Sequence, residues 1–130
     1  NDTTNHVAEA YMAQFESDPP SYALEAYDSV WILADAIERA GTTEADALIS
    51  AIEDTDIELA QGRYYFEYTS SNPLPSDGSV PDYMWHQWPD PAVLLLQYFE
   101  PNQNWQDAAV IWPEVYQTHG ASYIVPGTQP

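Results

Sequence analysis

Three histidines, His6, His86 and His119, are the first side chains to weigh for chemistry. They are far apart in sequence and match no zinc-ligand spacing. With no cysteine in the chain, disulfides and cysteinyl metal sites are excluded as well. His86 falls between tryptophans in PDYMWHQW (Pro81–Trp88) and reads as a packed or surface histidine rather than a catalytic base. No G-x-S-x-G elbow, H-E-x-x-H helix or glycine-rich phosphate loop is present. The 21 acidic residues allow a carboxylate pair to be drawn almost anywhere, so Asp54 beside Asp56 identifies nothing. Nor do the acids alternate around a central glycine, as a calcium loop requires. The sequence predicts no enzyme, no metal site and no cofactor; an enzyme built on His86 with a nearby acid is the minor alternative.

The aromatic residues form a second group. Tyr64, Tyr65, Phe66, Tyr68, Tyr83, Trp85, Trp88 and Tyr98 gather in the second half of the chain. Exposed, such rings stack on sugars or line an apolar cleft. Buried, they are the core of a small sheet, and strand alternation assigns about half to each face. The core reading is preferred for each ring; a small carbohydrate-binding module is the alternative function.

Charge narrows the partners. Arg39 and Arg63 are the only Lys or Arg residues among 130, and the formal net charge is −19. Nucleic acid, which is gripped mainly by Lys and Arg on phosphates, is excluded as a partner. Anionic membrane surfaces repel such a chain. Self-repulsion of this size is relieved by salt, whose screening length is about 3 Å at 1 M, so the composition suggests a hypersaline setting. No apolar run approaches the ~20 residues of a membrane span, so no membrane insertion by this segment is expected. No signal peptide opens the chain, which suggests a mature form or a fragment.

The elements that must hold these residues begin with a helix over Thr3–Ser17, where Val7, Tyr11 and Phe15 recur every four residues and Thr4 or Asn5 is the expected cap. Asp18–Pro19–Pro20 ends it. Ser21–Gly41 is the longest helix, with Ser21 at its entry and Gly41 as a left-handed cap after Arg39. Ala23, Ala26, Tyr27, Val30, Ala34 and Ile37 make one broad apolar face, and Trp31, Ile32 and Leu33 extend it round the cylinder. Thr43 and Asp46 approximate a capping box for a third helix running to about Glu53. Periodicity then changes to strands over Gly62–Tyr68, Pro81–Trp88, Ala92–Tyr98 and Ala108–Trp112. Thr69–Val80 reads as a loop. Ala92–Tyr98 is apolar enough for burial on both faces. The residues beyond Glu114 read as irregular, with Pro126 and Gly127 near the end. Three helices followed by three to four short strands make a mixed α/β chain, yet the long helix carries more apolar surface than that sheet can cover.

The ordered motifs Y-A-x-E-A-Y-D-S-V-W-I-L-A-D-A-I-E-R-A-G and T-D-I-x-L-x-x-G-R-Y-Y-F resemble those of type I solute-binding proteins of ABC importers, in the branched-chain amino-acid and amide/urea class. That family shows an A-Y-D-A-V helix ending in A-G and a T-D-F-x-G-x-x-G-x-I-x-F turn and strand. Ala26–Val30 matches the first; Gly62 and Phe66 match the second glycine and the phenylalanine of the last. Leu59 replaces the family's first glycine, so a differently shaped turn is expected. Val110–Pro113 resembles the late V-V-W/Y-P.

The resemblance implies part of a type I periplasmic-binding-protein fold, incomplete relative to two lobes joined by hinge crossings. Residues 1–91 would complete the first lobe, and residues 92–130 would recross the hinge and form the tail. The implied partners are a small polar solute, an ABC permease and the remaining N-terminal part of the same protein, at an extracellular or cell-surface location. Most ligand-binding residues of the family would lie upstream. Within this chain Tyr22, Tyr27, Asp28 and Trp85 are the candidates, with packing and capping as the competing roles for each.

Overall fold

A computed structural model of the chain describes residues 1–89, 91, 93–118, 123 and 125. It divides into two compact units, Asn1–Pro91 and Ala92–Pro130. The first contains helices α1 (Asp2–Phe15), α2 (Ser21–Ala40) and α3 (Ala45–Glu53) and the antiparallel pair β1 (Asp56–Leu59) and β2 (Gly62–Tyr65). The second contains the antiparallel pair β3 (Leu95–Gln97) and β4 (Ala109–Trp112), with 3-10 turns at Trp105–Asp107 and Glu114–Tyr116.

The three expected helices form, but their caps differ from those expected. Asn1, not Thr4 or Asn5, caps α1: its Oδ1 accepts from the Thr4 amide at 2.8 Å. Thr4 lies at the third helical position and closes a capping box back to Asn1. A left-handed Glu16, φ 55, ends α1 before the prolines are reached. Pro20, not Ser21, occupies the cap position of α2, since its fixed φ of −65 and extended ψ place Ser21 in the first turn. For α3 the cap residue is Glu44, without a side-chain bond, and Thr42 Oγ1 accepts the Glu44 amide instead. Gly41 adopts the left-handed cap as expected, φ 65, and its N–H donates to Ile37 O.

The strands depart further from the sequence reading. Asp56–Leu59 pairs with Gly62–Tyr65 from Asp56↔Tyr65 to Leu59↔Gly62, so a strand unforeseen in the periodicity precedes the expected one, which ends at Tyr65 rather than Tyr68. Pro81–Trp88 is not a strand. Pro81 caps a 3-10 turn at Asp82–Met84, and His86 follows with φ 57. Its aromatic content mimicked a strand, but local three-residue bonds take the amides of Met84, Trp85 and Gln87. Ala92–Tyr98 shrinks to Leu95–Gln97, with Ala92 outside the described residues. Leu95 and Leu96 are exposed, and among the described residues β3 pairs with β4 alone. Ala109–Trp112 forms as expected, stopping at Pro113 after a cis Trp112–Pro113 bond. Thr118 accepts from the Val110 amide through Oγ1 and donates its own N–H to Val110 O. His119, Pro126 and Gly127 lie outside the described residues.

Few side chains are fully buried. In the first unit the buried apolar residues are Val7, Ala36, Ala51, Leu59 and Ala60, and in the second Ala108 and Ala109. Among the described residues the largest fully buried side chain is a carboxylate, Asp28. On α2, Val30, Trp31 and Leu33 are 66%, 49% and 44% exposed, while Ala23, Tyr27, Ile32 and Ile37 are half-buried.

Candidate functional site

Two carboxylate-centred clusters organise the first unit. The first surrounds Asp28, in the middle of α2. Its Oδ1 accepts from the Ala60 amide and its Oδ2 from the Gln61 amide, both at 2.9 Å. These two residues form the β1–β2 turn. Two-residue hairpins favour turns with positive φ at the loop positions. Here Ala60 and Gln61 are not left-handed; Gly62, φ 121, is. The turn therefore lacks the backbone form that suits the hairpin twist, and Asp28 supplies the acceptors that hold it. Asn1 Nδ2 donates to Leu59 O at 2.9 Å and Thr4 Oγ1 to Ala60 O, so α1 grips the same turn. Tyr64 completes the cluster. Burial, then the neighbouring Asp28 carboxylate, push its phenol well above the ordinary tyrosine value. Its ring stacks on Trp88 at 4.1 Å, and Trp88 Nε1 donates to Arg63 O.

The second cluster surrounds Glu53, the last residue of α3. Glu53 Oε1 accepts from the Ser70 amide at 3.2 Å and the Ser70 hydroxyl at 2.9 Å, and lies 2.6 Å from His86 Nε2. The His86 amide donates to Tyr68 O, so the loop after β2 and the turn after the 3-10 segment are clasped together. Burial works to raise the Glu53 carboxyl, but the bonds from Ser70 and His86 outweigh it and hold the group below its ordinary value. Beside this clasp is a cleft of about 360 Å³ lined by Ile49, Ile52, Glu53, Phe66 and His86.

The chemistry open to the Glu53 cluster is limited. In a nucleophilic triad the hydroxyl bonds to the histidine, which removes its proton. Here Ser70 bonds to Glu53 instead, so the carboxylate sits between hydroxyl and imidazole and the imidazole is not aimed at the Ser70 oxygen. The cluster fastens loops and presents a carboxylate to a cleft. Neither arginine is left to bind an anion. Arg39 Nε donates to Asp35 at 2.8 Å, and Arg63 donates to both oxygens of Asp56 at 2.6 and 2.8 Å while lying 4.9 Å from the Tyr65 ring. Among the described residues no three His, Asp or Glu side chains converge as a metal site, and no helix is long and apolar enough to cross a membrane.

The four sequence candidates divide. Tyr22, Tyr27 and Asp28 share α2, but at 100° per residue Tyr22 and Tyr27 point roughly 140° apart. Tyr22 is 75% exposed at the first turn; Tyr27 is half-buried with its ring 6.1 Å from Trp31. Asp28 has both oxygens occupied by backbone amides. Trp85 lies on the separate 81–88 segment, its ring 4.5 Å from that of His86, beside the cleft. Glu53, Ser70, Ile49 and Ile52 were not singled out as site residues by sequence, whereas Phe66 stood in the aromatic group and in the hairpin motif, and His86 was weighed as a base. A glutamate at a helix end and a serine in a loop carry no motif.

This arrangement defines a mixed α/β segment in which an A-Y-D helix carries the turn of a following hairpin. The sequence model of the family described as periplasmic binding protein matches residues 1–76, from α1 through the hairpin into the next loop, and the chain belongs to that family. Members are generally non-enzymatic solute binders that act outside the cytoplasm with a transporter as partner. No curated protein and no solved structure matches the chain.

Proposed function

We propose that the chain is the C-terminal part of an extracellular solute-binding protein of an ABC importer, in the branched-chain amino-acid and amide/urea class. The solute, an amino acid or amide-like molecule, is captured between two lobes and delivered to the permease. Hinge closure is a population shift driven by ligand contacts made only in the closed form, with no covalent chemistry. Residues 1–91 complete the first lobe, and residues 92–130 recross the hinge and form the tail. The observation that carries this reading is Asp28. It joins the A-Y-D-S-V helix to the T-D-I-x-L-x-x-G-R-Y-Y-F hairpin, and both motifs lie inside the matched residues. The exposed Val30, Trp31 and Leu33 give a remaining N-terminal part of the protein a surface to cover.

The test is the mass and binding behaviour of the source protein. A native product about two to three times this chain's mass, whose tryptophan emission shifts on titration with branched-chain amino acids or short amides, is expected. A native product of this length that is fully stable and unresponsive to these solutes overturns the reading. The carbohydrate-binding alternative receives less support: Trp88 has one face on Tyr64, and Trp85 lies against His86. The salt-adapted reading of the net charge of −19 is tested separately. The melting temperature should rise steeply from low to molar potassium chloride, and a flat profile rejects it.

A further inference from the structure

The cleft beside Glu53 has a chemistry of its own. Among the described residues its walls are Ile49, Ile52 and Phe66, and its polar groups are Glu53 and His86. Its volume of about 360 Å³ is at the small end of the range for small-molecule pockets. The Glu53 side chain is only 9% exposed. All three bonds made to it by Ser70 and His86 fall on Oε1. Oε2 takes no partner among the described residues, yet it is not a sealed unsatisfied atom, so it opens to the cleft or to solvent. A carboxylate oxygen partly withdrawn from water, beside three apolar side chains, favours a cation with an apolar body. The field of the whole chain points the same way, with 21 acids against two arginines that are themselves paired with Asp35 and Asp56. A zwitterionic amino acid finds no free Lys or Arg here for its carboxylate.

We propose that this cleft binds a small organic ammonium ion with an aromatic or branched aliphatic body, its charged head on Glu53 Oε2 and its body against Ile49, Ile52 and Phe66. The site lies within a single unit and does not rest on hinge closure. Trp85, whose ring is 4.5 Å from that of His86, reports on occupancy by fluorescence.

The experiment titrates the full chain at pH 8 with 2-phenylethylammonium, its neutral isostere 2-phenylethanol and the anion 3-phenylpropionate. The ammonium ion should bind saturably, the alcohol roughly tenfold or more weakly, and the carboxylate not at all. Glu53→Gln should reduce ammonium affinity to that of the alcohol. Glu9→Gln, which changes net charge equally on the exposed face of α1, should leave it unaltered. Ile49→Arg, at a position already 53% exposed and therefore tolerant of a long side chain, should abolish binding and keeps the test decisive if Glu53→Gln unfolds. Equal affinity for alcohol and ammonium, equal effects of the Glu53 and Glu9 changes, unaltered binding in Ile49→Arg, or no saturable ammonium binding would each overturn the proposal.

Discussion

Asp28 and Glu53 are two carboxylates that do similar work under different conditions. Each sits on a helix and holds a neighbouring segment by accepting hydrogen bonds. Asp28 is fully buried and spends both oxygens on backbone amides of one turn. Glu53 gathers three donors on one oxygen, one of them a histidine that is 41% exposed. A carboxylate sealed against fixed N–H groups is a structural strut, because both of its oxygens are already spent. A carboxylate with a half-exposed partner and a cleft beside it stays open to exchange. An A-Y-D motif alone would have suggested Asp28 as the ligand contact; the geometry makes it the residue that shapes the hairpin.

The sharpest way to break this comparison is to remove the strut. Asp28→Ala deletes two charge-assisted bonds and leaves the Ala60 amide buried without an acceptor. About 3 kcal/mol or more of stability should be lost, a large fraction of a typical domain's total. Asp28→Asn keeps the shape but only one acceptor, so it should fall between Ala and wild type in denaturant melts. If Asp28→Ala costs no more than a surface substitution, the strut role is wrong.

Removing the clasp should cost less and act locally. Glu53→Ala or His86→Ala should raise amide hydrogen exchange at Ser70 and His86, while the amides of β1 and β2 keep their protection. Loss of protection throughout the hairpin would show that the two clusters are one cooperative unit. Acid provides the same test without mutation. The folded Glu53 value lies below the unfolded one, so its contribution is present above the unfolded value and disappears as pH falls through the folded value. The Ser70 amide should therefore open only below about pH 4.3, the ordinary glutamate value.

How much of this could be read from residues alone follows from the range of each force. The three helices were legible, since apolar spacing and the Gly41 stop are local signals. Their caps were not: Asn1, Pro20 and Glu44 displaced better-looking Thr and Ser candidates, because cap position depends on where the backbone leaves helical geometry. β1 was missed because Asp56–Leu59 is only four residues long with two acids, and it is a strand because β2 and Asp28 hold it. Pro81–Trp88 was misread because aromatic residues indicate burial in a strand only if a partner strand exists. The Asp28 strut spans more than thirty positions and left no trace beyond the family resemblance. The periplasmic-binding-protein family was legible, though not its finer class, since motif order survives where single contacts cannot be inferred.

Tyr64 sharpens the Asp28 side of the comparison from the alkaline end. Its folded value is raised by burial first and by Asp28 next, so the stability linked to its neutral phenol is fully present below the unfolded value near pH 10 and is lost as pH rises beyond it. Tyr68 is raised too, by burial and Glu67, so spectrophotometric titration should show late tyrosine ionisation from both, and Tyr64→Phe should remove the part that accompanies loss of the fold.

The smallest effect belongs to the bridge across the hairpin. Arg63 binds Asp56 with two short bonds that hold the Asp56 carboxyl below its usual value, yet both side chains are more than half exposed. Water and salt screen such a pair, and ordering two flexible side chains offsets part of its attraction. Asp56→Asn should leave the melting temperature almost unchanged and molar salt should erase what difference exists, whereas the Asp28 variants should keep theirs at any salt concentration. If Asp56→Asn instead matched Asp28→Ala, hairpin stability would reside in the cross-strand pair and not in the buried carboxylate beneath the turn.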